Sequence, residues 1–124
     1  MSDQPSVYKT TDLTYGSYLK VPELLALQEL KSDPPHHDEL LFIVIHQAYE
    51  LWFKMILFEV ENAMAYMAKG EVLRANHFLR RVVEIQKLLV AQIHILETMT
   101  PIEFLGFRGH INPASGFQSF QFRE

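Results

Sequence analysis

Between His37 and Lys69 the sequence contains neither glycine nor proline, and that absence constrains the chain more than any motif it carries. An unbroken stretch of this length forms a helix about 50 Å long at 1.5 Å per residue, and Gly70 is placed to stop it. The stretch is apolar almost all round: Leu41, Phe42, Ile45, Tyr49, Trp52, Phe53, Ile56, Phe58 and Val60 cover several faces. A helix without a polar face has to be enclosed by others. From Glu71 to Thr98, Val72, Leu79, Val82, Val83, Leu89, Ile93 and Leu96 form a stripe at helical spacing. The short junction at Gly70 predicts an antiparallel hairpin. The expected fold class is therefore all-α, with long antiparallel helices forming part of a bundle. A two-helix hairpin cannot surround the long helix on every side, so further chain or other subunits must complete the core, and completion by oligomerisation is expected.

The flanks read differently. Residues 1–17 are expected to be an extended N-terminal arm and residues 18–124 a helical domain. A short amphipathic helix follows the arm, with Leu19, Leu24, Leu25 and Leu27 supplying apolar contacts. Pro34 and Pro35 then disfavour helix before them, while Asp38 and Glu39 bring negative charge to a first helical turn. Thr100-Pro101 predicts an N-cap with proline at the first helical position. The stretch GFRGHINPASG is a loop by composition, and FQSFQFRE starts another helix.

Composition narrows the function classes. Forty-eight per cent of residues are hydrophobic, which argues for a packed core and against disorder. The net charge of −4 is mixed along the chain, with no basic block for nucleic acid. Without cysteine there is no disulfide framework, thiolate metal site or cysteine nucleophile. The start lacks the apolar core of a signal peptide. The longest strongly apolar run, Leu40 to Ile45, is far short of a membrane span of roughly twenty residues. The expectation is a cytoplasmic protein that engages no membrane.

Several residues invite chemistry, each with a plainer reading beside it. His46 is either a core histidine bonded to a carbonyl or carboxylate, or a polar group orienting a ligand in an enclosed pocket. His36-His37-Asp38-Glu39 reads better as capping and local hydrogen bonding, because consecutive helical residues diverge and cannot converge on one ion. Arg108, set among Phe104, Leu105 and Phe107, either snorkels to water or offers its fork to a carboxylate. Tyr15 and Tyr18 read as packing residues. Ser115, in Pro-Ala-Ser-Gly, lacks the first glycine of a nucleophile elbow. No protein metal-ligand set is expected.

Taken in order, LTYGSYL, HHDELLFIVIHQ, ELWFKM, LETMTPIEFLGFR and PASGFQSFQFR resemble the successive signature blocks of the tryptophan 2,3-dioxygenase family, in its N-terminal, distal-pocket half. The resemblance implies a homotetramer with haem b that inserts O2 across the indole C2–C3 bond of L-tryptophan to give N-formylkynurenine. By the same resemblance His46 is the distal histidine facing the indole N–H, Phe42 and Phe104 are pocket walls, and Arg108 holds the tryptophan carboxylate. Ser115 lies near the haem. Tyr15, Tyr18 and Leu19 belong to an arm inserted into a neighbouring subunit's pocket. Phe104 stands where some relatives have tyrosine. The family's proximal histidine and its glycine- and threonine-rich loop match nothing here, since His77, His94 and His110 fall outside the pattern. This chain alone is therefore expected to be inactive. Two alternatives stay open: a related haem-dependent aromatic amino acid oxygenase, and a non-catalytic helical oligomer.

Overall fold

In the computed structural model, residues 13–124 are described. Among them the secondary structure is helical throughout: α1 (Tyr15–Leu19), α2 (Val21–Leu24), α3 (Glu39–Ala68), α4 (Val72–Leu96), α5 (Pro101–Ile111), a 3-10 turn (Gly116–Gln118) and α6 (Phe120–Arg123). The all-α expectation holds.

The two long helices end where local chemistry ends them. Gly70 takes φ +80°, a conformation that favours glycine. There Glu71 N–H donates to the Tyr66 carbonyl at 2.9 Å and Gly70 N–H to that of Met67 at 3.0 Å, so the last carbonyls of α3 are satisfied by a Schellman closure. The chain then reverses, and α4 runs back along α3. Ala63 and Ala75 are both buried near the turn, and their small side chains let the backbones approach. Farther out, Arg81 Nη1 donates to Glu59 Oε2 at 2.6 Å, and the Tyr49 hydroxyl donates to the Leu89 carbonyl at 3.0 Å. Pairs 59/81 and 49/89 lie at increasing distance from Gly70 along both helices, which fixes the antiparallel register.

Enclosure of α3 within the chain is not what the structure shows. Only Glu39, Ile45, Glu59 and Ala63 are buried along it, while Leu51, Phe58, Met64 and Met67 are exposed. The apolar faces outnumber the helices present to cover them. By length and composition alone α3 is also apolar enough to cross a membrane, which counting only uninterrupted apolar runs did not register.

Thr100 caps α5 as expected: its hydroxyl accepts from Glu103 N–H at 3.2 Å, and Glu103 Oε1 accepts from Thr100 N–H at 2.7 Å. The reciprocal box starts a helix bent 102° from α4, which swings α5 across the start of α3. It runs to Ile111, so the expected loop from Gly106 is a helix up to that point.

The N-terminal flank also departs from expectation. Of the extended arm over 1–17, residues 1–12 lie outside the described residues. Thr14 then caps a helix beginning at Tyr15. Leu19, Leu24, Leu25 and Leu27 are all exposed rather than packed. Gln47 Nε2 donates to the Leu27 carbonyl at 3.0 Å and Gln28 Nε2 to Gln47 Oε1 at 2.9 Å, tying this flank to α3.

Candidate functional site

The site grows from one face of α3. Phe42 and His46 lie one turn apart, with ring centroids 4.3 Å from each other. The His46 rotamer is held by its own helix, because His46 Nδ1 lies 2.7 Å from the Phe42 backbone carbonyl. A carbonyl only accepts, so Nδ1 carries a proton, and in the uncharged ring Nε2 is then the acceptor. Across the 102° bend, α5 supplies Phe104, stacked on Phe42 at 5.5 Å and 30°. Phe107, fully buried, meets Phe42 and Phe104 by its edge at 5.5 and 5.4 Å. Three rings in these offset and edge-on arrangements form a rigid wall.

The same face of α3 continues as an aromatic row. His46 meets Tyr49 edge-on at 6.4 Å, Tyr49 stacks on Phe53 at 6.0 Å, and Phe53 meets Phe122 of α6 at 6.0 Å. Burial pushes the Tyr49 hydroxyl above its ordinary pKa, consistent with a neutral donor to Leu89. Between this row and Leu89, Ile93 and Leu96 of α4 lies an open groove of about 600 Å³, lined at one end by Ser115, Gly116 and Phe117. Gln121 fastens that end, donating Nε2 to both the Glu50 carbonyl and Glu50 Oε1 at 2.9 Å. Ser115 caps the 3-10 turn by accepting from Phe117 N–H at 3.2 Å. A smaller cleft of about 340 Å³ lies on the other side of His46, against Leu24, Leu27, Gln47 and Leu51.

The structure thus brings Phe42, His46 and Phe104 together and sets Ser115 on the larger groove with His46. Arg108 lies one turn beyond Phe104 on α5, exposed, and its guanidinium has no partner among the described residues. Tyr15, Tyr18 and Leu19 sit on α1, exposed, and line neither concavity within their own chain. Tyr49 and Phe53 were read from sequence only as apolar helix residues, and Glu50, Gln121 and Phe122 were not read as site residues at all. The spacing of His46, Tyr49, Glu50 and Phe53 along one helical face was the available signal.

The acidic and histidine run before α3 makes the local hydrogen bonds the plainer reading expected, although Asp38, at the N-cap of α3, makes no side-chain capping bond. His37 Nδ1 and Asp38 Oδ1 pair at the surface at 2.7 Å. That hydrogen bond raises the His37 pKa and lowers that of Asp38. Glu39 turns inward and is wholly buried. It accepts from Lys31 N–H at 2.8 Å, Ser32 N–H at 3.0 Å and the Ser32 hydroxyl at 2.6 Å. Burial alone pushes its carboxyl up, but the Ser32 hydroxyl and the two backbone N–H groups outweigh it and hold the pKa below its ordinary value. Among the described residues no three histidines or carboxylates converge to hold a metal ion.

Comparison with known proteins adds the lineage. The family described as tryptophan 2,3-dioxygenase matches residues 2–124. A tryptophan 2,3-dioxygenase of Nocardioides sp. is 61% identical over 116 residues, covering 90% of this chain and 43% of the relative. That of Herpetosiphon aurantiacus is 56% identical, with the same 90% and 43% covered. That of Dictyostelium discoideum is 53% identical, with 88% of this chain and 29% of the relative covered. The chain spans less than half the length of these curated relatives.

Proposed function

The chain belongs to the tryptophan 2,3-dioxygenase family, and we propose that it supplies the distal side of a haem pocket where L-tryptophan is oxidised by O2 to N-formylkynurenine. The observation that carries this reading is the fixed tautomer of His46. With Nδ1–H held by the Phe42 carbonyl, Nε2 faces outward as an acceptor, the group an indole N–H requires. His46 orients the substrate in this scheme and need not remove a proton. The stacked Phe42 and Phe104 give the indole a flat apolar wall. Arg108 has a free fork for the α-carboxylate.

The groove beside His46 suits a flat macrocycle on the chemistry of its lining: Tyr49, Phe53, Leu89, Ile93 and Phe122 are apolar or aromatic, with Ser115 as a polar contact. These residues would hold the haem edge and face. The haem supplies iron and its oxygen chemistry, and the family's proximal histidine corresponds to no residue of this chain. What the chain's own side chains do is bind and orient tryptophan and keep water from the apolar wall.

The uncovered faces of α3 and α4 support a homotetramer, in which apolar surface of this extent is buried between subunits and not in a bilayer. The smaller cleft beside His46, lined by Leu24 and Leu27, is where the arm bearing Tyr15, Tyr18 and Leu19 from a neighbouring subunit would enter. A cytoplasmic location fits this assembly.

The test is a titration of L-tryptophan into the haem-loaded protein, read as a shift of the Soret band. A saturable shift is expected. Arg108→Ala weakens its midpoint by at least about tenfold, the worth of one charge-assisted hydrogen bond. Tryptamine, which lacks the carboxylate, is indifferent to that substitution. No shift, or equal affinity in Arg108→Ala, overturns the reading.

A further inference from the structure

The buried carboxylate of Glu39 and its surroundings are not used by the function proposed above. Glu39 gathers Lys31 N–H, Ser32 N–H and the Ser32 hydroxyl, folding the preceding loop over the start of α3. The Ser32 oxygen in turn accepts from His36 N–H at 2.8 Å, and His36 Nδ1 accepts from Asp38 N–H at 3.3 Å. With its backbone and one ring nitrogen held, the His36 imidazole lies against α5. A Cβ placed on Gly106 would sit 2.6 Å from His36 Nε2 and 2.7 Å from Cδ2. The ring also meets the buried Phe107 at 5.4 Å. Glu103 and His110 are near enough for their charges to act on His37 and Glu39 respectively.

Glu103, Gly106, Phe107 and His110 recur at helical spacing, so a single face of α5 meets this loop. Phe104 and Arg108 occupy a different face, about 100° around the helix from Glu103 and Phe107. Whatever fixes the first face therefore fixes the rotation at which the second is presented to Phe42 and His46.

We infer that Glu39, Ser32 and His36 form a latch that sets the rotation of α5 through the close approach of His36 to Gly106, and thereby positions Arg108 for its anionic ligand. The consequence for substrate rests on the reading of Arg108 as the carboxylate binder. The latch residues are positioning residues and touch no substrate. A turn of α5 by 20° moves a side-chain tip about 2 Å at the helix surface, enough to spoil a two-pronged hydrogen bond. The glycines of α5 provide a matched pair: Gly106 abuts His36, whereas a Cβ on Gly109 would meet nothing within 4 Å. Both substitutions to alanine raise helix propensity equally, so only the contact differs.

Because the chain has no cysteine, Glu61→Cys and Ile102→Cys, both at exposed positions, accept spin labels cleanly. Pulsed electron resonance on the full chain, diluted with unlabelled chain, then reads the placement of α5 against α3 without haem or turnover. Gly106→Ala is expected to shift the distance peak by about 2 Å or to broaden it, and Gly109→Ala to leave it unchanged. Ser32→Ala, which removes two links of the latch and adds no bulk, broadens the peak. Identical behaviour of the two glycine variants, or an unchanged peak in Ser32→Ala, overturns the latch. In the haem-loaded protein Gly106→Ala weakens L-tryptophan by about tenfold, the loss expected of one charge-assisted bond, and leaves tryptamine unaffected. If Arg108→Ala does not weaken L-tryptophan, the carboxylate reading fails, while the distances still judge the latch independently.

Discussion

Replacing Glu39 by glutamine removes one charge, keeps the shape, and probes the most buried polar group among the described residues. The carboxylate is 0% exposed, with Oε2 accepting from Lys31 N–H and Oε1 from the Ser32 N–H and hydroxyl. An amide has one acceptor oxygen, so its NH2 must face a former donor. One charge-assisted hydrogen bond, worth about 1.5–3 kcal/mol, is lost, and those remaining fall to neutral strength. The expected loss near neutral pH is about 3 kcal/mol, which lowers a urea midpoint by at least about 1 M for a protein of this size. Exposed Glu61 is the control, and Glu61→Gln changes stability by less than about 0.5 kcal/mol. The pH dependence has a definite sign. The folded state holds the Glu39 carboxyl below its ordinary value of 4.5, so its stabilisation is complete above that pH. It is lost as pH falls through the lower folded-state value. The gap between the parent and Glu39→Gln therefore closes in acid. A loss under about 1 kcal/mol, or a gap equally large at acid and neutral pH, refutes the reasoning.

Two further predictions come from the α3–α4 hairpin. Arg81→Ala leaves the Glu59 carboxylate, 2% exposed, without its 2.6 Å partner. The loss is about 2 kcal/mol by urea unfolding, below the figure for a fully buried pair because the Arg81 side chain is half exposed and screened. Gly70→Ala forces a Cβ into φ +80° and destabilises by about 1–2 kcal/mol, although nothing lies within 4 Å of the added methyl. A neutral result would mean that the turn relaxes.

The long helices were legible because each depends on information within itself. The hydrophobic period and the positive-φ glycine at their junction fix α3 and α4 to within a few residues of the sequence reading. Phe42 and His46 were legible as a pair for the same reason, one turn apart on one helix. What sequence missed depends on partners far along the chain. Gln121 gains its role only from Glu50, and Phe122 from Phe53. Gly106 looked like a loop residue because glycine disfavours helix, yet it lies within α5, where a side chain would strike His36. Glu39 was read as a charge at a helix start, and so it is, but its hydrogen-bond partners are donors seven and eight residues upstream.

The leucines expected to pack in the N-terminal flank instead stand exposed, as do Leu51 and Phe58 on α3. Apolar periodicity records the surface buried in the final assembly, not the surface that one chain buries alone. The same holds on α4: of the predicted stripe Val82 is buried, while Val72, Leu79, Val83 and Ile93 stand exposed, so the buried apolar residues of the hairpin are Ile45, Ala63, Ala75, Val82 and Ile85. Surface left over in this way constrains where further helices dock. By the same logic the two concavities flanking His46 differ in what they suit: under the proposed function the aromatic groove would take the flat cofactor and the leucine-lined cleft an apolar segment of another subunit.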